Sequence, residues 1–196
     1  MDITELISRQ FKASADLNNE AVELLSPAIA RAAACIVEAL LADRKLLTCG
    51  HGSSAMLAQY FASCMLGCYE RERPGLAVIA LDGERQGLKP CLNEAESDQH
   101  LARPLLALSQ HGDVLLVLCT CGNEPGILGA IRAAHERDMQ VIALTGADGG
   151  QLLELLQPED IHIGVPHDSN ARVQEVYLLT LHCLCDAIDS HLLGVE

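Results

Sequence analysis

The sequence predicts an α/β fold: a doubly wound five-stranded parallel sheet flanked by helices, in one domain spanning residues 1–196. Three observations predict it. From Lys45 onward, five short apolar runs alternate with stretches of helical period, the order of repeated βα units. One of those runs, Asp113 to Cys119, is continuous in Val and Leu, as a strand buried on both faces should be. No linker, low-complexity segment or internal repeat divides the chain.

Taken in order, residues 2–25 carry Ile3, Leu6, Ile7, Phe11, Leu17, Val22 and Leu25 at helical spacing. Ser26-Pro27 reads as an N-cap followed by an N1 proline, which starts a second helix running to about Leu41. These two N-terminal helices, within residues 1–43, exceed what one parallel sheet requires and are expected to pack against another subunit. The parallel core occupies 45–196. Lys45 to Cys49 is its first strand, followed by a turn, Gly50-His51-Gly52-Ser53-Ser54, and a helix with Ala55, Met56, Ala58 and Gln59. Leu76 to Leu81 is the second strand, and 84–110 hold weaker helical signals around a polar stretch, Asn93 to Gln99. After the third strand come helix 125–137, strand Met139 to Thr145, a glycine turn and a short helix near 150–156. Asp160 to Val165 is the fifth strand and 170–193 the last helix. That helix is apolar round most of its circumference (Val173, Val176, Tyr177, Leu178, Leu181, Leu184, Ile188, Leu192), so it is expected to be buried between layers. With the N-terminal pair, it predicts an oligomer.

Composition narrows the function. Hydrophobic residues make up 49% with three Tyr, two Phe and no Trp, so Leu, Ala, Ile and Val fill the core. No apolar run approaches the roughly 20 residues that span a membrane, and no signal peptide opens the chain, so the expected compartment is the cytoplasm. A formal net charge of −14 excludes a nucleic-acid backbone as the direct partner, which would need clustered Lys and Arg. Partners should be small molecules or other proteins. The nine cysteines are odd in number and follow no secretion signal, so they read as reduced thiols, most of them packed as small hydrophobes. Their spacings (Cys64/Cys68, Cys119/Cys121, Cys183/Cys185) do not form a C-x-x-C zinc framework.

The chain is organised around residues 45–64. Strand, glycine turn, helix aims free backbone N–H groups at an anion. Gly50 and Gly52 allow close backbone approach, while Ser53 and Ser54 offer hydroxyl donors and a helix cap. The turn is not a Walker A loop, since no GK[ST] follows, nor G-x-G-x-x-G, since Ala55 stands at the third glycine. A tight strand-to-helix connection with no ligand is the other reading. The end of the third strand repeats the logic in Cys119-Thr120-Cys121-Gly122-Asn123-Glu124-Pro125. Ligands of parallel sheets sit outside the carboxyl ends of strands, so 50–54 and 119–124 are expected to flank one crevice.

Five segments carry a resemblance: CGHGSSAMLAQYFAS, ERERPGLAVIAL, GDVLLVLCTCGN, AAHERDMQVIALTGADGG and ARVQEVYLLTLHCLCDAID. In these the chain resembles the SIS (sugar isomerase) domain family, within it the branch of phosphoheptose isomerase and the DnaA initiator-associating protein DiaA. The resemblance covers essentially the whole chain. It implies a five-stranded parallel sheet, a homotetramer, and sugar-phosphate sites near subunit interfaces.

Residue by residue, the carry-over shows a degenerate site. The isomerase reads G-N-G-G-S-A where this chain has Gly50-His51-Gly52-Ser53-Ser54-Ala55, so the serine survives as Ser54 and the asparagine becomes His51. Its second loop reads S-T-S-G-N-S and grips phosphate with hydroxyls; here Cys119, Cys121 and Glu124 replace the serines and Thr120 remains. Thiols are weak donors, and Glu124 puts an anion at a helix N-terminus where a phosphate would sit. The resemblance thus implies substrate contacts at Gly52, Ser53, Ser54, Cys119, Thr120, Cys121, Glu124 and Gln174. The isomerase's His and Glu on the helix after loop one are Tyr60 and Cys64, whereas its other ligands survive as Gln174 and His182. Ketose–aldose isomerisation needs a base that moves a proton between adjacent carbons and a group that polarises the carbonyl. Tyr60 is a poor base at neutral pH, and Cys64 lacks a carboxylate's two oxygens; the catalytic position that the resemblance implies here is the surviving His182. No cofactor is expected; zinc on Cys64, Gln174 and His182 is the alternative. DiaA contacts DnaA through a Leu-Phe pair at the end of its last helix, matched here by Leu192-Leu193.

Weighed together, the degraded catalytic positions on a kept scaffold predict a non-catalytic, tetrameric adaptor of DiaA type, acting with DnaA in replication initiation. The alternatives are a sedoheptulose 7-phosphate isomerase or phosphosugar-binding protein with an altered site, and a sensor of a different ligand seated on His51, Cys119, Cys121 and Glu124.

Overall fold

The computed structural model describes residues 2–82, 99–146 and 148–194. The chain opens with α1, Ile3–Leu41, whose first turn is capped by the Asp2 carboxylate accepting from the Thr4 N–H at 3.0 Å. Here the structure differs from the sequence reading: Pro27 lies inside one continuous helix instead of starting a second. Burial explains the continuity. Leu17, Ala21 and Leu25 before the proline and Ala32, Ala33, Ile36 and Val37 after it lie on one buried face, which packs on the rest of the core. That face holds both halves in register against the hydrogen bond a helical proline forfeits. The Ser26 hydroxyl donates back to the Val22 carbonyl instead of capping a new helix.

The following elements are β1 (Leu46–Gly50), α2 (Ser53–Leu66), β2 (Val78–Ala80) and α3 (Gln99–Leu108). Then come β3 (Val114–Cys119), α4 (Pro125–Glu136), β4 (Gln140–Gly146), α5 (Leu152–Leu155), β5 (Ile161–Val165) and α6 (Asn170–Leu193). The helical signal expected in 84–110 is realised from Gln99; the polar residues Asn93 to Asp98 lie outside the described residues. The second strand is shorter than expected because only Val78–Ala80 pair in register with Leu46–Thr48.

All five strands are parallel, in the order β2-β1-β3-β4-β5. Side-chain alternation along β3 shows why the sheet is covered twice. Val114, Leu116 and Leu118 join the core built with α1, α2 and α6, while Leu115, Val117 and Cys119 join that built with α3, α4 and α5.

The last helix departs from its expectation of all-round burial. Val173, Val176, Tyr177, Leu181, Leu184 and Ile188 are buried, but Leu178 and Leu179 are exposed. By length and composition α1 and α6 could each cross a membrane, contrary to the sequence reading. Here they lie side by side, with apolar faces turned onto the sheet.

Candidate functional site

The strand order places the site. β1 has β2 on one side and β3 on the other, so the chain reverses its winding between β1 and β3. At such a switch point the loops after the two strands part and leave a crevice at their carboxyl ends. Gly50 lies in register with Leu118, so loops 50–52 and 120–124 leave the sheet side by side. The His51 N–H donates to the Leu118 carbonyl at 3.3 Å, and His51 Nδ1 lies 3.2 Å from Glu124 Oε1. The two loops thus flank one crevice and are tied across it by this His51–Glu124 contact.

The first loop turns in very little space. A Cβ on Gly50 would lie 2.5 Å from the backbone of Ser54, so only glycine fits there. Gly52 is the N-cap of α2. The expectation that a serine caps this helix is corrected: the Ser53 and Ser54 hydroxyls instead accept from Gln174 Nε2, at 2.6 and 3.2 Å. The amide on α6 therefore holds both hydroxyls, and their own protons remain available to a ligand.

The second loop is stitched to its neighbour. The Asn123 side chain donates to the Cys121 carbonyl at 3.0 Å and accepts from the Gln151 N–H at 2.9 Å. The Gly122 carbonyl accepts from the Leu152 N–H at 2.9 Å. Gly122 has φ +64°, and a Cβ there would meet the Gly149 carbonyl oxygen at 1.8 Å. Glu124 is the N-cap residue of α4, but its carboxylate reaches across to His51 instead of bonding the helix's own N–H groups. Cys119 is buried, and its Sγ lies 3.9 Å from that of the exposed Cys121. Burial pushes the Cys119 thiol up and the neighbouring Cys121 adds to this, while the Gly122 and Glu124 N–H groups, aimed at its sulfur, pull the other way.

Further along α2 and α6 a second cluster forms. Tyr60 Oη lies 2.9 Å from His182 Nε2, with the rings edge to face at 5.7 Å between centroids. Tyr69 stacks on His182 at 5.4 Å. The Tyr60 phenol is pushed up to about 12, first by its hydrogen bond with the Cys64 side chain and then by burial and nearby thiols. The phenol therefore stays protonated at neutral pH and acts as a donor. Beneath this cluster the buried Arg73 bonds Asp189 at 2.5 Å and donates to the carbonyls of Cys64 and Met65, which fixes the end of α2 to α6.

These contacts test the zinc alternative. His182 Nε2 faces the Tyr60 proton, the Cys64 thiol is bonded to Tyr60, and the Gln174 amide is turned to two serines. Among the described residues no group of three or more His, Cys, Asp or Glu is placed to hold an ion. Tetrahedral zinc takes four converging ligands; here Cys64, Gln174 and His182 are three donors, each engaged with another side chain.

The structure thus brings Ser53, Ser54 and Gln174 together, joins Tyr60 and Cys64 to His182, and sets Cys119, Thr120, Cys121 and Glu124 on one loop. Leu192 packs on the chain's own core and Leu193 is exposed. Sequence reasoning missed Arg73, Tyr69 and Asn123 as organising residues. A signal existed for Arg73 and Tyr69, since a tyrosine and an arginine flank the turn that leaves α2.

Comparison with known proteins extends these findings. The profile of the SIS domain matches residues 10–146. Phosphoheptose isomerase of Azoarcus sp. (strain BH72) is 48% identical over 196 residues, covering all of both chains. That of Thiobacillus denitrificans is 49% identical, also over 196 residues and all of both chains. The structure of a phosphoheptose isomerase from Francisella tularensis superposes with a TM-score of 0.91 at 40% identity, covering 97% of this chain and 100% of that one. Phosphoheptose isomerase GmhA from Neisseria gonorrhoeae gives 0.89 at 38%, covering 96% and 100%. These full-length matches overturn the expectation of a non-catalytic adaptor in replication initiation. The altered loop residues His51, Cys119, Cys121 and Glu124 and the altered α2 positions Tyr60 and Cys64 carry less weight than identity along the whole chain.

Proposed function

The chain belongs to the SIS domain family, and from that membership we propose that it is a phosphoheptose isomerase, which interconverts sedoheptulose 7-phosphate and its aldose isomer. The observation that carries this reading is identity near one half, end to end, with phosphoheptose isomerases. The Tyr60–His182 pair supplies the chemistry.

The phosphate is received at the switch-point crevice by the serine hydroxyls, Thr120 and the N-terminus of α2. His51 Nδ1, 3.2 Å from Glu124 Oε1, occupies that carboxylate beside the phosphate. Seven residues of α2, about 10 Å at 1.5 Å per residue, separate Ser53 from Tyr60, a span that a seven-carbon chain with its phosphate can bridge. At the far end the Tyr60 phenol transfers its hydrogen bond from His182 to the substrate carbonyl oxygen. His182 Nε2, freed, takes the proton from the carbon beside the carbonyl. Tyr60 gives its proton to the carbonyl oxygen, so that a neutral enediol forms. His182 then returns its proton to the former carbonyl carbon, while Tyr60 recovers a proton from the hydroxyl of the first carbon, where the new carbonyl appears. Tyr60 and His182 thus take the polarising and basic roles.

The protein is further proposed to be a cytoplasmic homotetramer. Exposed Ile3, Ile7 and Phe11 on α1 and Leu178 and Leu179 on α6 support association. The test of function is conversion of sedoheptulose 7-phosphate by the wild type and by His182→Ala. Turnover that the substitution lowers at least a hundredfold is expected; no turnover by the wild type, or full turnover by the variant, contradicts the reading.

A further inference from the structure

We propose that Cys119 and Cys121 are a reversible oxidation site, closing to a disulfide within the second loop of the crevice. The proposal rests on their geometry and not on the isomerase reading. The two sulfurs lie 3.9 Å apart, so a bond requires a movement of about 2 Å. They sit where β3 gives way to an irregular turn, so the closure is absorbed outside the sheet ladder.

The pair is built asymmetrically, as a two-step exchange requires. Cys121 is exposed and meets the oxidant from outside; Cys119 is buried, its sulfur 3.9 Å away. Burial raises the Cys119 thiol above its ordinary value, and the Gly122 and Glu124 N–H groups aimed at its sulfur relieve part of that cost.

The oxidant is a low-molecular-weight disulfide such as oxidised glutathione. The Cys121 thiolate attacks it, forming a mixed disulfide and releasing one glutathione thiolate. Cys119 then loses its proton to solvent and attacks the Cys121 sulfur, which expels the second glutathione. Two protein thiols are oxidised by two electrons, and one small disulfide is reduced to two thiols.

The test is incubation of the whole protein with oxidised glutathione, followed by mass mapping of the peptide that holds both cysteines. The expected product is that peptide lacking two hydrogens, restored by dithiothreitol. Cys119→Ser should stop at the glutathione adduct on Cys121, and Cys121→Ser should give neither adduct nor bridge in this peptide. A stable glutathione adduct on Cys121 of the wild type would overturn the proposal, since Cys119 would then have failed to resolve it. An unmodified peptide while the exposed Cys68 and Cys183 react would overturn it too. The wild-type map decides the matter even where a variant folds poorly.

Discussion

The Tyr60 phenol lies 2.9 Å from His182 Nε2, although the two residues are 122 positions apart in the chain. The phenol is pushed up to about 12, so the proton stays on oxygen, and the imidazole nitrogen beside it is the one proposed as the base. Tyr60→Phe keeps the ring and removes the donor. It is predicted to lower kcat for sedoheptulose 7-phosphate roughly a hundredfold, with little change in KM, by steady-state kinetics.

Metal removal should leave the enzyme working. The proposed reaction runs on Tyr60 and His182. Extensive treatment with a chelator, followed by assay in chelated buffer, is predicted to leave kcat within twofold of the untreated protein. Cys64→Ser should likewise retain activity.

Glu124 opposes the phosphate that the crevice is proposed to receive. Like charges about 4 Å apart near a protein surface cost several kcal/mol at full strength, and the Glu124 carboxylate, 3.2 Å from His51 Nδ1, stands at that crevice. Glu124→Ser is predicted to lower KM for the sugar phosphate about tenfold, about 1.4 kcal/mol of binding. An unchanged or higher KM would show that Glu124 helps to hold the substrate.

The Arg73–Asp189 pair should govern stability more than chemistry. Both side chains are buried, and Arg73 also holds carbonyls at the end of α2. Removing one partner leaves the other charged and unpaired, so Asp189→Ala is predicted to cost about 3–5 kcal/mol, read from urea unfolding.

Alkaline pH should weaken the fold. The Cys49 and Cys185 thiols are pushed from 9.0 up to about 12, with burial as the largest cause in each. The folded state then holds protons that the unfolded chain releases, so their stabilisation is full below pH 9 and is lost as pH rises toward 12. Urea midpoints measured from pH 8 upward should fall, and Cys49→Ala should make the fall shallower.

Much of the fold was legible because buried parallel strands write themselves as apolar runs: β3 was read within a residue of its bounds. Pro27 was misread because Ser-Pro is a strong local start signal, whereas burial on both sides of it is a tertiary fact. The all-round apolarity of α6 was read as burial, although Leu178 and Leu179 face outward in a single chain. The two glycine-bearing loops were legible as a crevice because strand–turn–helix has a local signature. The pairings across it were not, since His51–Glu124, Gln174 with the serines, and Tyr60–His182 each join distant segments. Tyr60 and Cys64, judged singly, looked like losses; beside His182 they form a hydrogen-bonded group.

Solvent exchange during turnover tests the central claim most directly. If His182 carries a proton between neighbouring carbons, sedoheptulose 7-phosphate isomerised in deuterium oxide should gain deuterium at C1 of the ketose and at C2 of the aldose, as read by proton NMR. Replacing His182 with Asn should abolish that gain. Absence of both exchange and turnover in the wild type, or undiminished exchange in the variant, would contradict the assignment of His182 as the base of an isomerase.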